Sequence, residues 1–421
     1  FKYIIGQNPF NLILQCIFMT NISSFRQKQS VIFVAFLVTT FVVGIAGALQ
    51  APTLSRFLTF DVNVNSRLVG LFFSINALAS IVGSFLLAKY SDTKGDRRYI
   101  VIFCCLMGVA NSITFAFTRH YLILITLGVL FAALSSAAMP QIFALAREYA
   151  VKTGRNVVVF NSLIRAQLSL AWVFGPPISF GLAINFGFTA MYLAAMGMFM
   201  VAMLFVAVFL PSVEKNPTSS INNNLDLKVA NQPLWQNRNV LCLLLSTVFM
   251  WAANMMYIID MPLYVDEVLH LPDSLPGVLM GLAAGIEIPV MLIAGYLVPY
   301  LGKRNLFFIA ITCGLIFYTG LILCTDKYAL LILQLFNALF IGIVANIGII
   351  YFQDLLPTRM GVASTLFNNG VIFGVIIAGM LQGVLSDIYG HKIIYWVALI
   401  MVAISLLFCM LVKKDTASQV N

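Results

Sequence analysis

From residue 31 onward the chain alternates long apolar runs with short polar connections. Each run has the roughly 20 residues a helix needs to cross a ~30 Å hydrocarbon core. The pattern predicts helices at 31–55, 67–89, 98–118, 121–146, 157–185 and 188–210, then at 238–264, 275–299, 304–324, 328–352, 361–386 and 391–412. That is an all-α membrane protein of about twelve transmembrane helices. Residues 1–30 do not continue the pattern, because Ile13 to Met19 is too short to span and Pro9, Asn11 and Gln15 interrupt it. Without a basic start or a small-residue cleavage site, this stretch reads as an N-terminal extension rather than a signal peptide. The long polar segment 211–237 is dominated by Pro, Ser and Asn, which is linker chemistry. It separates two six-helix bundles, 31–210 and 238–412, and 413–421 forms a polar tail.

The two bundles repeat each other. Gly70-Leu-Phe-Phe-Ser lies on Gly277-Val-Leu-Met-Gly at an offset of 277 − 70 = 207, which also carries Gly95 onto Gly302 and Arg97 onto Arg304. A fainter register, 359 − 155 = 204, pairs Arg155 with Arg359 and Gly175 with Gly379. Parallel repeats of six spans are the pattern of a two-bundle transporter with its site at the bundle interface near the midplane.

Composition removes most other classes. The chain is 61% hydrophobic and 9% charged, whereas soluble domains carry about 45–50% apolar and 25% charged residues. The formal charge of +9 is not a nucleic-acid signal, since the basic residues sit in short loops against lipid headgroups. With the N-terminus inside, 18 Lys and Arg fall on the cytoplasmic side and 5 outside, with Arg165 in a span. That bias predicts cytoplasmic N- and C-termini. The seven cysteines lie in apolar runs without metal-ligand spacing. His120, His270 and His391 stand near helix ends and read as solvated loop histidines. There is no nucleotide-binding loop, metal cluster or nucleophile constellation, so the sequence predicts no cofactor, no enzyme and no ATP-driven pump.

The loop Ala88-x-x-x-Asp92-x-x-Gly95-x-Arg97-Arg98 resembles that between the second and third helices of the major facilitator superfamily. Asp92 with Gly95, Arg97 and Arg98 would form a charge latch that two conformations make differently. Pro299 stands where a second copy would carry the acid, which puts the latch in the first half only. Arg165-Ala-Gln167-Leu-Ser-Leu-Ala-Trp172-Val-Phe-Gly175-Pro176-Pro177, Tyr257-Ile-Ile-Asp260-Met-Pro262-Leu, Ala284-Gly-Ile-Glu287-Ile-Pro289 and Phe352-Gln353-Asp354-Leu-Leu-Pro357 together are similar to the sugar efflux transporters of that superfamily. The likeness runs from about residue 31 to 412. It implies export of small sugars or glycosides by proton antiport across a bacterial inner membrane, and the chain is expected to act as a monomer.

The intramembrane polar residues supply the candidate site. A charge at the bilayer centre costs at least ~2.5–3.5 kcal/mol, so Glu287 must face a cavity, meet a cation or take up a proton. It is read as the coupling acid or an acceptor for a sugar hydroxyl. Arg165 is open between a ligand contact and an ion pair with Glu287, and Asp260 between an outer gate or cap and a substrate contact. Gln167, Asn161, Asn254, Asn337, Asn346 and Asn368, with Asn76 and Gln141 among others, offer amide donors and acceptors. About half of such amides are expected to serve helix–helix bonds instead. Trp172 could stack on a sugar face, and Gly175-Pro176-Pro177 is expected to kink or unwind the fifth helix as a hinge. The rival readings are a drug or amphiphile exporter of the same superfamily, which would want fewer hydrogen-bonding groups, and a non-transporting sensor, which would want a soluble output domain.

Overall fold

The computed structural model describes residues 9–93, 96–155, 157–212, 237–356 and 360–412, and every element among them is helical. In lipid the backbone must satisfy its own hydrogen bonds, and these Leu-, Ile-, Phe- and Ala-rich runs do so as helices. We label them α1 (Pro9–Gln50), α2 (Ser66–Thr93), α3 (Arg97–Phe117) and α4 (Tyr121–Lys152). The next helical stretch, Val157–Phe209, would be one rod of about 80 Å at 1.5 Å per residue. Gly187, at φ 82° and ψ 165°, breaks it into α5 (157–186) and α6 (188–209). The second half holds α7 (Arg238–Leu263), α8 (Leu275–Leu301), α9 (Lys303–Leu323), α10 (Lys327–Leu355), α11 (Met360–Tyr389) and α12 (Lys392–Leu411). Among the described residues eleven apolar helices are long enough to span, and the break at Gly187 divides the longest in two to give twelve. The first helix begins at Pro9, so residues 9–29 extend the first span as helix. Most of the linker, 213–236, and the tail 413–421 lie outside the described residues.

The helix ends gather at two ends of the molecule, named here after Arg56 and Arg97. At the Arg56 end the repeat reaches down to single dihedrals. The first and seventh spans both finish in a five-residue π turn, Phe57–Asp61 and Tyr264–Val268, 264 − 57 = 207 residues apart. Each turn is followed by a non-glycine residue at positive φ, Asn63 at 58° and His270 at 52°. Phe57 meets Tyr192 edge-on with ring centroids 5.1 Å apart, and Tyr264 meets Tyr395 likewise at 4.6 Å. At the Arg97 end, Arg97 Nε donates to Glu148 at 2.7 Å and Lys303 Nζ pairs with Asp354. The two pairs stand at one offset, since 303 − 97 and 354 − 148 both equal 206. Both halves thus carry an ion pair here, while the side chain of Asp92, on which the expected first-half latch rests, lies outside the described residues. The second half keeps an ion pair by drawing its acid from α10, which a search within the loop could not find.

The bundles close against each other at the Arg56 end through small residues. A Cβ built on Gly70 of α2 would lie 2.1 Å from the Gly379 carbonyl oxygen of α11 and 2.7 Å from Gly383 Cα. The related contact sets Gly277 of α8 against the Pro176 carbonyl of α5, at 2.9 Å by the same construction. Arg56 reaches Asp273 at 2.6 Å and Asp266 at 3.4 Å, and Arg67 reaches Asp387 at 2.6 Å, all across the interface. Helical φ and ψ run unbroken through Gly175-Pro176-Pro177, so the expected unwinding is not present. Pro177 cannot donate to the Val173 carbonyl four residues back. That freed oxygen is what Gly281 of α8 packs against, within 2.8 Å of its built Cβ, so the Pro pair shapes a contact face.

Candidate functional site

The C-terminal bundle has one continuous apolar core, whereas the N-terminal core is divided into a cluster around Phe36, Ile142 and Phe160 and another around Phe57, Phe72 and Tyr192. Between the two clusters lies a cavity of about 330 Å³, within the span of small-molecule sites. Its walls combine Phe72, Phe73, Phe115 and Phe199 with Gln50, Asn76, Asn111, Ser135 and Ser136. Gly47 opens one wall, since nothing would meet a Cβ there. Asn111 Nδ2 donates to Gln50 Oε1 at 2.9 Å, and Gln50 Nε2 donates to the Ala46 carbonyl at 3.1 Å and to Ser112 Oγ at 3.3 Å. The carbonyl oxygens of Asn76 and Asn111 are left buried with no partner. An orphaned buried acceptor costs roughly 1–3 kcal/mol, which a ligand hydroxyl entering the cavity would recover. Aromatic faces beside amide groups suit a molecule with apolar C–H faces and a rim of hydroxyls.

The residues singled out from sequence lie elsewhere, and the cavity wall includes none of the candidate substrate contacts except Asn76 from the wider amide set. Glu287 is half-buried on α8 and packs its Cγ against Gly342 of α10. Among the described residues it has no ion-pair partner, and Arg165 is exposed and stacked over the Phe143 ring at 5.5 Å instead. Asn346 Nδ2 donates to the Met291 carbonyl of α8 at 2.7 Å, tying α10 to α8. Asn337 donates to Gln334 Oε1 at 3.0 Å, and Tyr257 OH reaches the same oxygen at 3.3 Å. Those are helix-packing bonds, although the Asn337 carbonyl oxygen remains unpartnered. Asn254 is buried on α7, Gln167 and Trp172 are half-buried on α5, and Asn368 is exposed on α11. The side chains of Asn161 and Asp92, and the whole of Gly95, lie outside the described residues. Arg97 also donates to Ser91 Oγ and to Gln141 Oε1, and Arg98 donates to the Ala207 carbonyl.

Asp260 is fully sealed from solvent and from the cavity. Its Oδ1 accepts from Gln382 Nε2 of α11 at 3.0 Å and meets His391 Nδ1 at 2.7 Å. His391, expected to be a solvated loop residue, is only 9% exposed and places its other nitrogen 3.1 Å from Glu267 Oε2. Burial alone would lower its pKa, but the hydrogen bond and charge of Asp260, joined by Glu267, outweigh it and raise the imidazole above its ordinary value. Partners 131 and 124 residues away are not visible from the loop sequence.

Twelve helices in two related bundles, the first of them enclosing a cavity, define a transporter fold, and residues 36–368 match the profile of the Major Facilitator Superfamily. The chain is 50% identical over 392 residues to Sugar efflux transporter A of Escherichia coli strain K12, covering 93% of this chain and 99% of that one. It is 47% identical over 381 residues to Sugar efflux transporter B of Salmonella typhimurium strain LT2, covering 90% and 95%. Among solved structures, the nucleoside transporter NupG superposes with a TM-score of 0.76 at 12% identity over 91% of this chain and 100% of that one. A D-xylose–proton symporter does so at 0.72 and 11% identity, over 93% and 99%. At such identities the two structures share the fold alone. The chain belongs to the sugar efflux transporters of the major facilitator superfamily.

Proposed function

We propose that the protein exports small sugars or glycosides across a bacterial inner membrane by alternating access, in exchange for protons. The names of its relatives support the substrate class. The observation that carries the reading in this chain is the cavity of amides and aromatic rings with two orphaned acceptors. The excess of basic residues assigns the Arg97 end to the cytoplasm. The structure is then closed outside, the state that loads sugar from within. The side-chain oxygens of Asn76 and Asn111 accept hydrogen bonds from sugar hydroxyls, Gln50 holds Asn111 in place, and Phe72 and Phe115 line the apolar faces. Glu287, in the other bundle and without a cation partner among the described residues, exchanges the proton. One chain supplies both bundles and both interface contacts, so a monomer suffices. The test is efflux of labelled lactose or a methyl glucoside from vesicles, comparing Asn76→Ala and Asn111→Ala with wild type. A lost hydrogen bond of about 1–1.5 kcal/mol predicts a KM raised about five- to twelvefold in each. Unchanged KM in both variants, at normal insertion, would remove the cavity from the substrate path.

A further inference from the structure

The repeat provides a control within the molecule for the cluster around His391. In the N-terminal bundle, Thr53 of the first span bonds Ser179 of α5 at 3.1 Å. At the related positions of the C-terminal bundle, 260 − 53 = 207 and 382 − 179 = 203, Asp260 bonds Gln382. The counterpart of His391 is Phe188, which packs on Phe57, and the counterpart of Glu267 is Phe60. Both bundles thus build the same corner on the same aromatic pair, but three non-ionisable residues in one are Asp, Glu and His in the other. Packing does not need the charges, because the first bundle manages without them.

The distances count protons. An ionised carboxylate only accepts hydrogen bonds, and a neutral imidazole has one N–H. For the contacts of 2.7 and 3.1 Å from the two ring nitrogens to two carboxylates both to be hydrogen bonds, the cluster must hold one proton more than neutral histidine supplies. Asp260 Oδ2, buried near the Tyr395 hydroxyl, adds a further acceptor in the same place. Glu267 sits on the π turn Tyr264–Val268, and its neighbour Asp266 faces the other way, towards Arg56 of the first bundle. One short turn thus joins the histidine to the interbundle contact.

We propose that Asp260, Glu267 and His391 form a proton-binding site at the Arg56 end, and that the bound proton holds the π turn in the position that closes the bundles there. Without that proton one carboxylate faces a nitrogen lone pair, Glu267 swings free, and Asp266 leaves Arg56. Its use in transport rests on the proton exchange proposed above, since a proton taken from outside would close the outer end once the sugar has left. The other titratable groups facing the cluster are Tyr257 of α7, Tyr264 of the turn and Tyr395 of α12. Nearby charges are held elsewhere, Asp266 and Asp273 by Arg56 and Asp387 of α11 by Arg67, and Lys392 follows His391 in the chain. His270, whose ring contacts the Asp266 carbonyl at 3.1 Å, is replaced by Asn, which tolerates its positive φ.

The test places spin labels at Asn185 and Tyr328, exposed positions of opposite bundles at the Arg56 end, in the full chain with its native cysteines and His270 replaced. Distances are measured in nanodiscs without sugar, from about pH 5.5 to about pH 8.5, the range in which histidine switches. The expected result is a short distance at low pH that gives way to a longer one as pH rises through the raised pKa of His391, with the open-to-closed ratio growing at least tenfold. His391→Phe, the residue of the sister bundle, should abolish the dependence. Glu267→Gln, on a partly exposed side chain that tolerates change, should move the midpoint to lower pH because one acid no longer favours the imidazolium. A wild-type distance that ignores pH, or a His391→Phe variant that keeps the full dependence, would overturn the inference. Efflux that is indifferent to a pH gradient while the distance still follows pH would instead remove proton exchange and leave the site standing.

Discussion

Replacing Gly70 by Ala attacks the closure of the Arg56 end at its tightest point. The added Cβ would sit 2.1 Å from the Gly379 oxygen and 2.7–2.8 Å from backbone atoms of Gly383. All three obstacles are main chain, so no side chain can rotate away. An ordinary contact begins at 3.4 Å, so α2 and α11 must part by roughly 1.3 Å along that line. A gap of 0.5–1 Å already forfeits a quarter to a half of the dispersion well, and overpacking costs about 1–3 kcal/mol. Arg56–Asp273 and Arg67–Asp387 cannot compensate, since each has one well-solvated partner and such pairs contribute only ~0–1 kcal/mol each. The closed-to-open ratio should fall roughly 5- to 150-fold. The label pair at Asn185 and Tyr328 reads this directly as a shift to longer distances at constant pH. Gly197→Ala is the matched control, because its Cβ would meet nothing and should leave the distribution unchanged. A Gly70→Ala protein with the wild-type distribution would show that the α2–α11 contact does not set the closure.

Two further substitutions test other parts of the assembly. Glu287→Gln should abolish efflux driven by a pH gradient while sugar counterflow persists, and gradient-driven efflux at the wild-type rate would exclude Glu287 as the coupling acid. Glu148→Gln should lower the thermal unfolding temperature more than Asp354→Asn, because the Arg97–Glu148 pair is 13% and 28% exposed against 21% and 47% for Lys303–Asp354; the reverse order would refute the assignment of the first pair as the tighter brace.

The spans, their number and the repeat were legible because lipid demands long unbroken apolar runs, and such runs survive inspection one residue at a time. Even the turn between 185 and 188 could be placed, since a rod through both runs would overshoot the bilayer twofold. The cavity was not legible. An amide within a span looks the same whether it faces a ligand or a neighbouring helix, and Gln50 gains its meaning from Asn111, 61 residues away. A trace did exist in the first span, where Val43, Gly47, Gln50 and Leu54 recur at helical spacing and all meet the cavity. His391 misled for the opposite reason. Its position beside a turn is that of a solvated residue, and only the return of α7 to α12 buries it. For Arg165, depth counted along one helix said nothing about which way the side chain leaves it, and the guanidinium lies over the Phe143 ring.

The offset between the halves is not constant. It is 206 at Glu148 and Asp354 but 203 at Ser179 and Gln382, so the register shifts by three residues between those points. Helices on both sides keep matching contacts through that shift, and the turn at 153–155 lies within the interval. Gly154 there has φ 67° and open space around it. For imaging a small membrane protein with little mass outside the bilayer, this turn is a position for grafting a rigid marker domain without disturbing either bundle.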